Sequence, residues 1–154
     1  MIFPFKIKFE RVLKLKSPIE SENIFELIKE NIITESFGAA RNFEVQHNVL
    51  YFTTSYLGGS TLWTMKTIDK ASFRLDINSD LVTCIYTYFI GRIYLYLGFI
   101  LFLYSLVPKS SKRQVILLSL GIWVATFILS WISTYWGQTS MFKRIVNKIE
   151  IQYG

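Results

Sequence analysis

One histidine and one cysteine in 154 residues limit the chemistry this chain can carry. His47 stands beside Asn48 between two alternating stretches. A metal or general-base role needs partners at ligand or triad spacing, and no second His or nearby Cys supplies them. His47 therefore reads as a turn residue. Cys84, between Thr83 and Ile85, reads as a small apolar residue; palmitoylation of a juxtamembrane Cys is the alternative. Gly58-Gly59-Ser60-Thr61 lacks the Gly-Lys-Ser/Thr ending of a phosphate loop and lies between strand-like stretches, so it reads as a hairpin turn. Glu20, Glu22, Glu26 and Glu30 follow helical spacing and mark a solvated face. No Ser/His/Asp set assembles. The expectation is a protein with no catalytic residues, no metal ligands and no cofactor, and not an enzyme.

The elements that would position these residues divide by composition. The chain is 51% apolar, 17% aromatic and 18% charged, with mean hydropathy +0.33. Such a composition excludes disorder, and its length excludes a large multidomain enzyme. The net charge of +6 is uneven. Residues 1–84 hold ten basic and ten acidic residues, whereas residues 85–154 hold seven basic residues and one acidic, Glu150. A basic excess confined to the apolar half argues against a nucleic-acid partner and fits flanks that meet anionic headgroups.

Two apolar runs read as spanning helices. Residues 115–136 are uncharged and, at ~1.5 Å per residue, reach roughly 33 Å, enough for a hydrocarbon core. Residues 86–107 form the second candidate, with Arg92 about one turn inside it. Arg92 either snorkels to the headgroups or lines a polar cavity. Pro108 and the short basic loop after it make the pair a helical hairpin, with Tyr86, Tyr88, Trp131, Tyr135 and Trp136 as an aromatic belt at one interface. Six basic residues flank the chain ends against three in the hairpin loop, and no export signal opens the sequence. Both termini are expected in the cytoplasm of a bacterium, with the hairpin in its inner membrane and the bilayer as a partner.

Gly91, Gly98 and Ser105 recur at seven-residue spacing in the first run. In the second, Gly121 and Ala125 form a small-xxx-small pair, with Ser119, Thr126 and Ser133 beside them. These residues would pack the hairpin or bind a protein partner or second copy. In the tail, residues 137–154, Met141, Phe142, Ile145, Val146 and Ile149 share one side and Lys143, Arg144 and Lys148 flank it. That is a basic amphipathic helix suited to the lipid interface, where Arg92, Trp131 and Trp136 would also lie; a plain continuation of the second span is the alternative.

The first 84 residues read as an α+β head. Residues 5–15 alternate with period two, broken at Arg11-Val12 as by a bulge. Ser17-Pro18-Ile19-Glu20 has the form of a capping box, with Ser21 the alternative cap, and a helix follows to about Thr34 with Ile24, Leu27, Ile28 and Ile32 on one face. Strands are expected at residues 42–46, 49–57, 62–68 and 72–77, the first two joined by a turn at His47-Asn48. The fold class is thus α+β, a β-α-β-β-β-β head on a mostly antiparallel sheet, followed by a two-helix transmembrane hairpin (residues 85–136) and a short tail.

The opening strand, Ser17-Pro18-Ile19-Glu20 and Ile24-Phe25-Glu26-Leu27-Ile28 resemble the start of helix-grip (START-like) domains over about 60 residues. That resemblance implies an antiparallel sheet closed by a long C-terminal helix over a ligand cavity. Here the hairpin stands where that helix would be. The whole layout also resembles small bacterial two-span membrane proteins with an α+β head. The functional expectation is a non-enzymatic integral membrane protein, an accessory or scaffolding subunit. Its alternative is a membrane-tethered module binding a small apolar ligand between helix and sheet.

Overall fold

A computed structural model describes residues 5–15, 21–35, 40–54, 68–78, 81–90 and 112–154; within the last segment, side chains are described from residue 121 onward except at 123, 126 and 127. Strand β1 (Phe5–Lys14) leads to helix α1 (Ser21–Glu35), then to strands β2 (Ala40–Gln46), β3 (Val49–Thr54), β4 (Lys70–Asn78) and β5 (Leu81–Ile90), and finally to helix α2 (Lys112–Tyr153). The strands form one antiparallel sheet in the order β1-β5-β4-β3-β2. Both helices lie on the same face of it.

Side-chain alternation assigns the two faces. Val82, Cys84, Tyr86, Tyr88 and Ile90 of β5, Ala71, Phe73 and Leu75 of β4, and Leu50 and Phe52 of β3 are buried under the helices. Helix α1 adds Ile24, Phe25, Ile28 and Ile32, and α2 adds Met141, Phe142, Ile145, Val146 and Ile149. Phe142 is the keystone: its ring lies 5.8 Å from Phe9, 6.0 Å from Phe73 and 6.1 Å from Tyr86. Burying each such side chain is worth roughly 1.5–3 kcal/mol, so this layer holds the fold together.

The expected membrane hairpin is overturned. Residues 81–90 are a strand of the sheet, with Tyr86 and Tyr88 in the core instead of an aromatic belt. The remainder of the expected first span lies outside the described residues. Residues 115–136 belong to one helix that runs on to Tyr153. No helix among the described residues is long and apolar enough to cross a membrane. The integral-membrane fold class, the role built on it and the inner-membrane placement fall together. The physical reason for the misreading is that β5 is a central strand. Apolar side chains on both of its faces blur the period-two signal into a continuous apolar run.

The tail is corrected too. Its apolar arc meets the sheet and α1 instead of a lipid interface. Arg144 bridges to Glu35 at 2.6 Å, and the Lys148 ammonium donates to the Asn31 side-chain oxygen. No bulge interrupts β1, which pairs with β5 without a shift from Phe5↔Ile90 to Lys14↔Leu81. Arg11 is an inward position whose guanidinium reaches over the core edge to Asn147 Oδ1 (2.9 Å) and Glu150 Oε2 (3.0 Å) of α2. The shift in register lies instead in β2, between Arg41 and Glu44, where Asn42 takes a positive φ of 54°. His47 and Asn48 form the two-residue hairpin turn, both with positive φ (47° and 59°), the conformation whose twist matches that of paired strands. Of the expected strand at 62–68, Ile68 is described and lies in no strand; the rest of it, the capping box and the Gly58-Gly59 turn lie outside the described residues.

Candidate functional site

The residues best equipped for chemistry do not converge. His47 is exposed at the tip of the β2–β3 turn. Cys84 is buried on the inner face of β5, paired across the ladder with Arg11. Burial pushes its thiol up to about 11, and the nearby Arg11 guanidinium lowers it only in part. A thiol held protonated is a poor nucleophile. Glu22, Glu26 and Glu30 line the solvated side of α1. Among the described residues no three His, Cys, Asp or Glu side chains gather as a metal would need.

The core does contain polar atoms. The Tyr86 hydroxyl donates to Gln138 Oε1 at 2.6 Å, with both residues buried. Burial, and to a lesser extent neighbouring Tyr88, raises the Tyr86 phenol well above its ordinary value. Tyr88 is also raised, first by burial and then by Tyr135, and its hydroxyl has no hydrogen-bond partner among the described residues. These phenols stay neutral at physiological pH. With Phe9, Phe73 and Phe142 they fill the space between α2 and the sheet; a hollow of about 580 Å³ lies beside α1, lined by Phe25, Glu26, Lys29, Phe43, Val45 and Leu50.

Two further surfaces stand out. The first is the part of α2 that precedes its packed end. At ~1.5 Å per residue the helix is roughly 63 Å long, and among its described side chains the buried ones begin at Thr134. Before that point Ile122, Val124, Ile128, Leu129, Trp131 and Ile132 are exposed, and Trp136 is 72% exposed. Gly121, Ala125 and Ser133 are exposed on the same stretch. Trp131 stacks on Tyr135 with ring centroids 5.9 Å apart. Of the other residues expected to pack helices or meet lipid, Lys143, Arg144 and Lys148 are exposed on the packed half. Gly91, Arg92, Gly98, Ser105 and the Thr126 side chain lie outside the described residues.

The second surface is the outer face of the sheet, which neither helix covers. A hollow of about 570 Å³ lies there, lined by residues of all five strands including Lys6, Glu44, Tyr51, Lys70, Ser72 and Phe89. Sequence reasoning missed it. Its residues are scattered over 84 positions and become neighbours only through strand order. The signal that could have found it was the pairing of outward small residues with outward aromatic ones on adjacent strands.

No protein-family model, curated protein or solved structure matches this chain.

Proposed function

We propose that this protein works by binding another protein and not by catalysis, and that the projecting half of α2 is its binding element. What supports this reading is the run of large apolar side chains displayed between Ile122 and Trp136. An apolar patch of that kind, rich in Trp, marks an interaction surface. Trp and Tyr anchors in partner pockets carry much of the energy of protein interfaces. The partner of matching chemistry is an apolar helix or groove on a second protein. The α+β head then serves as the base that holds the helix upright.

A photo-crosslinking residue at Leu129 tests this in cells that make the protein. A discrete crosslinked band is expected from position 129 and none from Lys143, which is exposed on the packed half. A band of twice the chain mass would identify the partner as a second copy. Equal crosslinking from both positions, or none from Leu129, would overturn the proposal.

A further inference from the structure

The ladder registers place a row of outward side chains across four strands: Thr53 of β3, Lys70 of β4, Phe89 of β5 and Lys6 of β1. One pleat along, the row is Glu44, Tyr51, Ser72 and Thr87. Ser72 and Thr87 are short and sit on the two central strands, so they form a low floor with hydroxyls. Phe89 and Tyr51 rise at diagonal corners, roughly 12 Å apart at Cα for ordinary strand and pleat spacings. This alternation of short and tall residues is the cause of the hollow.

Two cations on this face are neutralised two residues along their own strand: Lys8 by Glu10 at 2.6 Å, and Arg74 by Asp76 at 2.8 Å. Lys6 and Lys70 have no carboxylate partner among the described residues. Both ammonium groups rest over the Phe89 ring, 5.9 and 5.2 Å from its centroid. Two like charges held at one ring repel each other, and an anion placed between them relieves that repulsion. At the opposite rim stands Glu44, an acceptor.

We infer that this hollow binds a small anionic aromatic molecule: a planar ring over the Ser72–Thr87 floor, its phosphate or carboxylate between Lys6 and Lys70, and a hydrogen-bond donor on the ring directed at Glu44. A mononucleotide combines these features, and the volume suits one small ligand. The site is independent of the projecting helix, so it stands or falls separately from the protein-binding role.

Isothermal titration calorimetry of the full chain with AMP, adenosine and inorganic phosphate tests this. AMP is expected to bind about tenfold or more tightly than adenosine or phosphate, since each of those lacks one half of the recognised chemistry. Lys6→Gln with Lys70→Gln should weaken AMP by about tenfold, whereas Lys14→Gln, a charge loss on the same face outside the hollow, should not. Ser72→Phe should abolish binding by filling the floor, with an unchanged circular dichroism spectrum showing the fold intact. No saturable AMP binding, equal affinity for AMP and phosphate, or undiminished binding by the double Lys variant would each overturn the inference.

Discussion

The half of α2 before Thr134 is the more apolar in sequence, yet its described side chains are mostly exposed, whereas the half after Thr134 packs on the sheet. From Thr134 to Ile149 the buried residues recur at spacings of three and four, confined to one arc, and the arc faces the sheet. Between Ile122 and Trp136 the described large apolar residues are exposed. Burial is therefore decided by where the helix finds a matching surface, and not by hydrophobicity along the chain. The packed half meets Phe9, Phe73 and Tyr86; the projecting half runs past the end of the described sheet contacts.

The sharpest way to break this comparison is to truncate one large side chain in each half. Phe142→Ala removes a ring that touches three others and should cost about 3–5 kcal/mol in urea unfolding. Leu129→Ala, 67% exposed, should stay within about 0.5 kcal/mol. Comparable losses in both would mean that the projecting half is part of the folding core.

A smaller effect distinguishes the two buried tyrosines. Tyr86→Phe removes the hydroxyl that donates to the buried Gln138 Oε1 inside the packed half and should cost about 1–3 kcal/mol. Tyr88→Phe removes a hydroxyl that lacks a partner among the described residues, so it should be neutral or stabilising. If Tyr88→Phe proves as costly as Tyr86→Phe, the Tyr88 hydroxyl is bonded in solution.

Cys84 reports on the end of the packed half, because Arg11 beside it is tied to Asn147 and Glu150. Its thiol is raised from 9.0 to about 11 by burial. The folded chain thus keeps its proton while the unfolded chain loses it as pH rises above 9. The sign of the linkage makes stability constant below pH 9 and falling between 9 and 11. Between pH 9 and 10 the loss from this group is about 1 kcal/mol, before the tyrosines contribute. Cys84→Ala should flatten that interval in pH-dependent unfolding; an unchanged slope would place the cause elsewhere.

How much of this was legible in the sequence follows from the same contrast. Helix α1, the His47-Asn48 turn and β3 were readable because one face of each is polar and the period shows. The apolar arc of the tail was readable for the same reason, although its destination was not. Strand β5 was hidden because Ile85 and Phe89 on its outer face match the apolar character of Tyr86 and Tyr88 on its inner face. Arg11 misled in the opposite way: an inward charge looked like a break in the pattern until its partners on α2, 136 and 139 residues away, explained it. The outer hollow was illegible for a stronger reason, since it exists only once β4 and β5 lie between β3 and β1.

The ion pairs that join α2 to its neighbours should give the smallest effect, and they sharpen the comparison most finely. Arg144–Glu35 fastens the packed half to α1, and Arg11–Glu150 fastens its last turns to β1. All four side chains are partly solvent-exposed, from 26% to 55%. Water screens such pairs and holding two long side chains costs entropy, so each is worth about 0.2–1 kcal/mol. Arg144→Ala and Arg11→Ala should therefore each lower stability by less than about 1 kcal/mol, and added salt should shrink the differences. The two variants differ in what they release. Loss of Arg11 frees the end of the helix over Cys84, so thiol labelling there should accelerate; loss of Arg144 leaves that end pinned and labelling unchanged. Equal acceleration in both would mean that the packed half lifts as one rigid piece, and that its grip on the sheet is set by the Phe142 cluster alone.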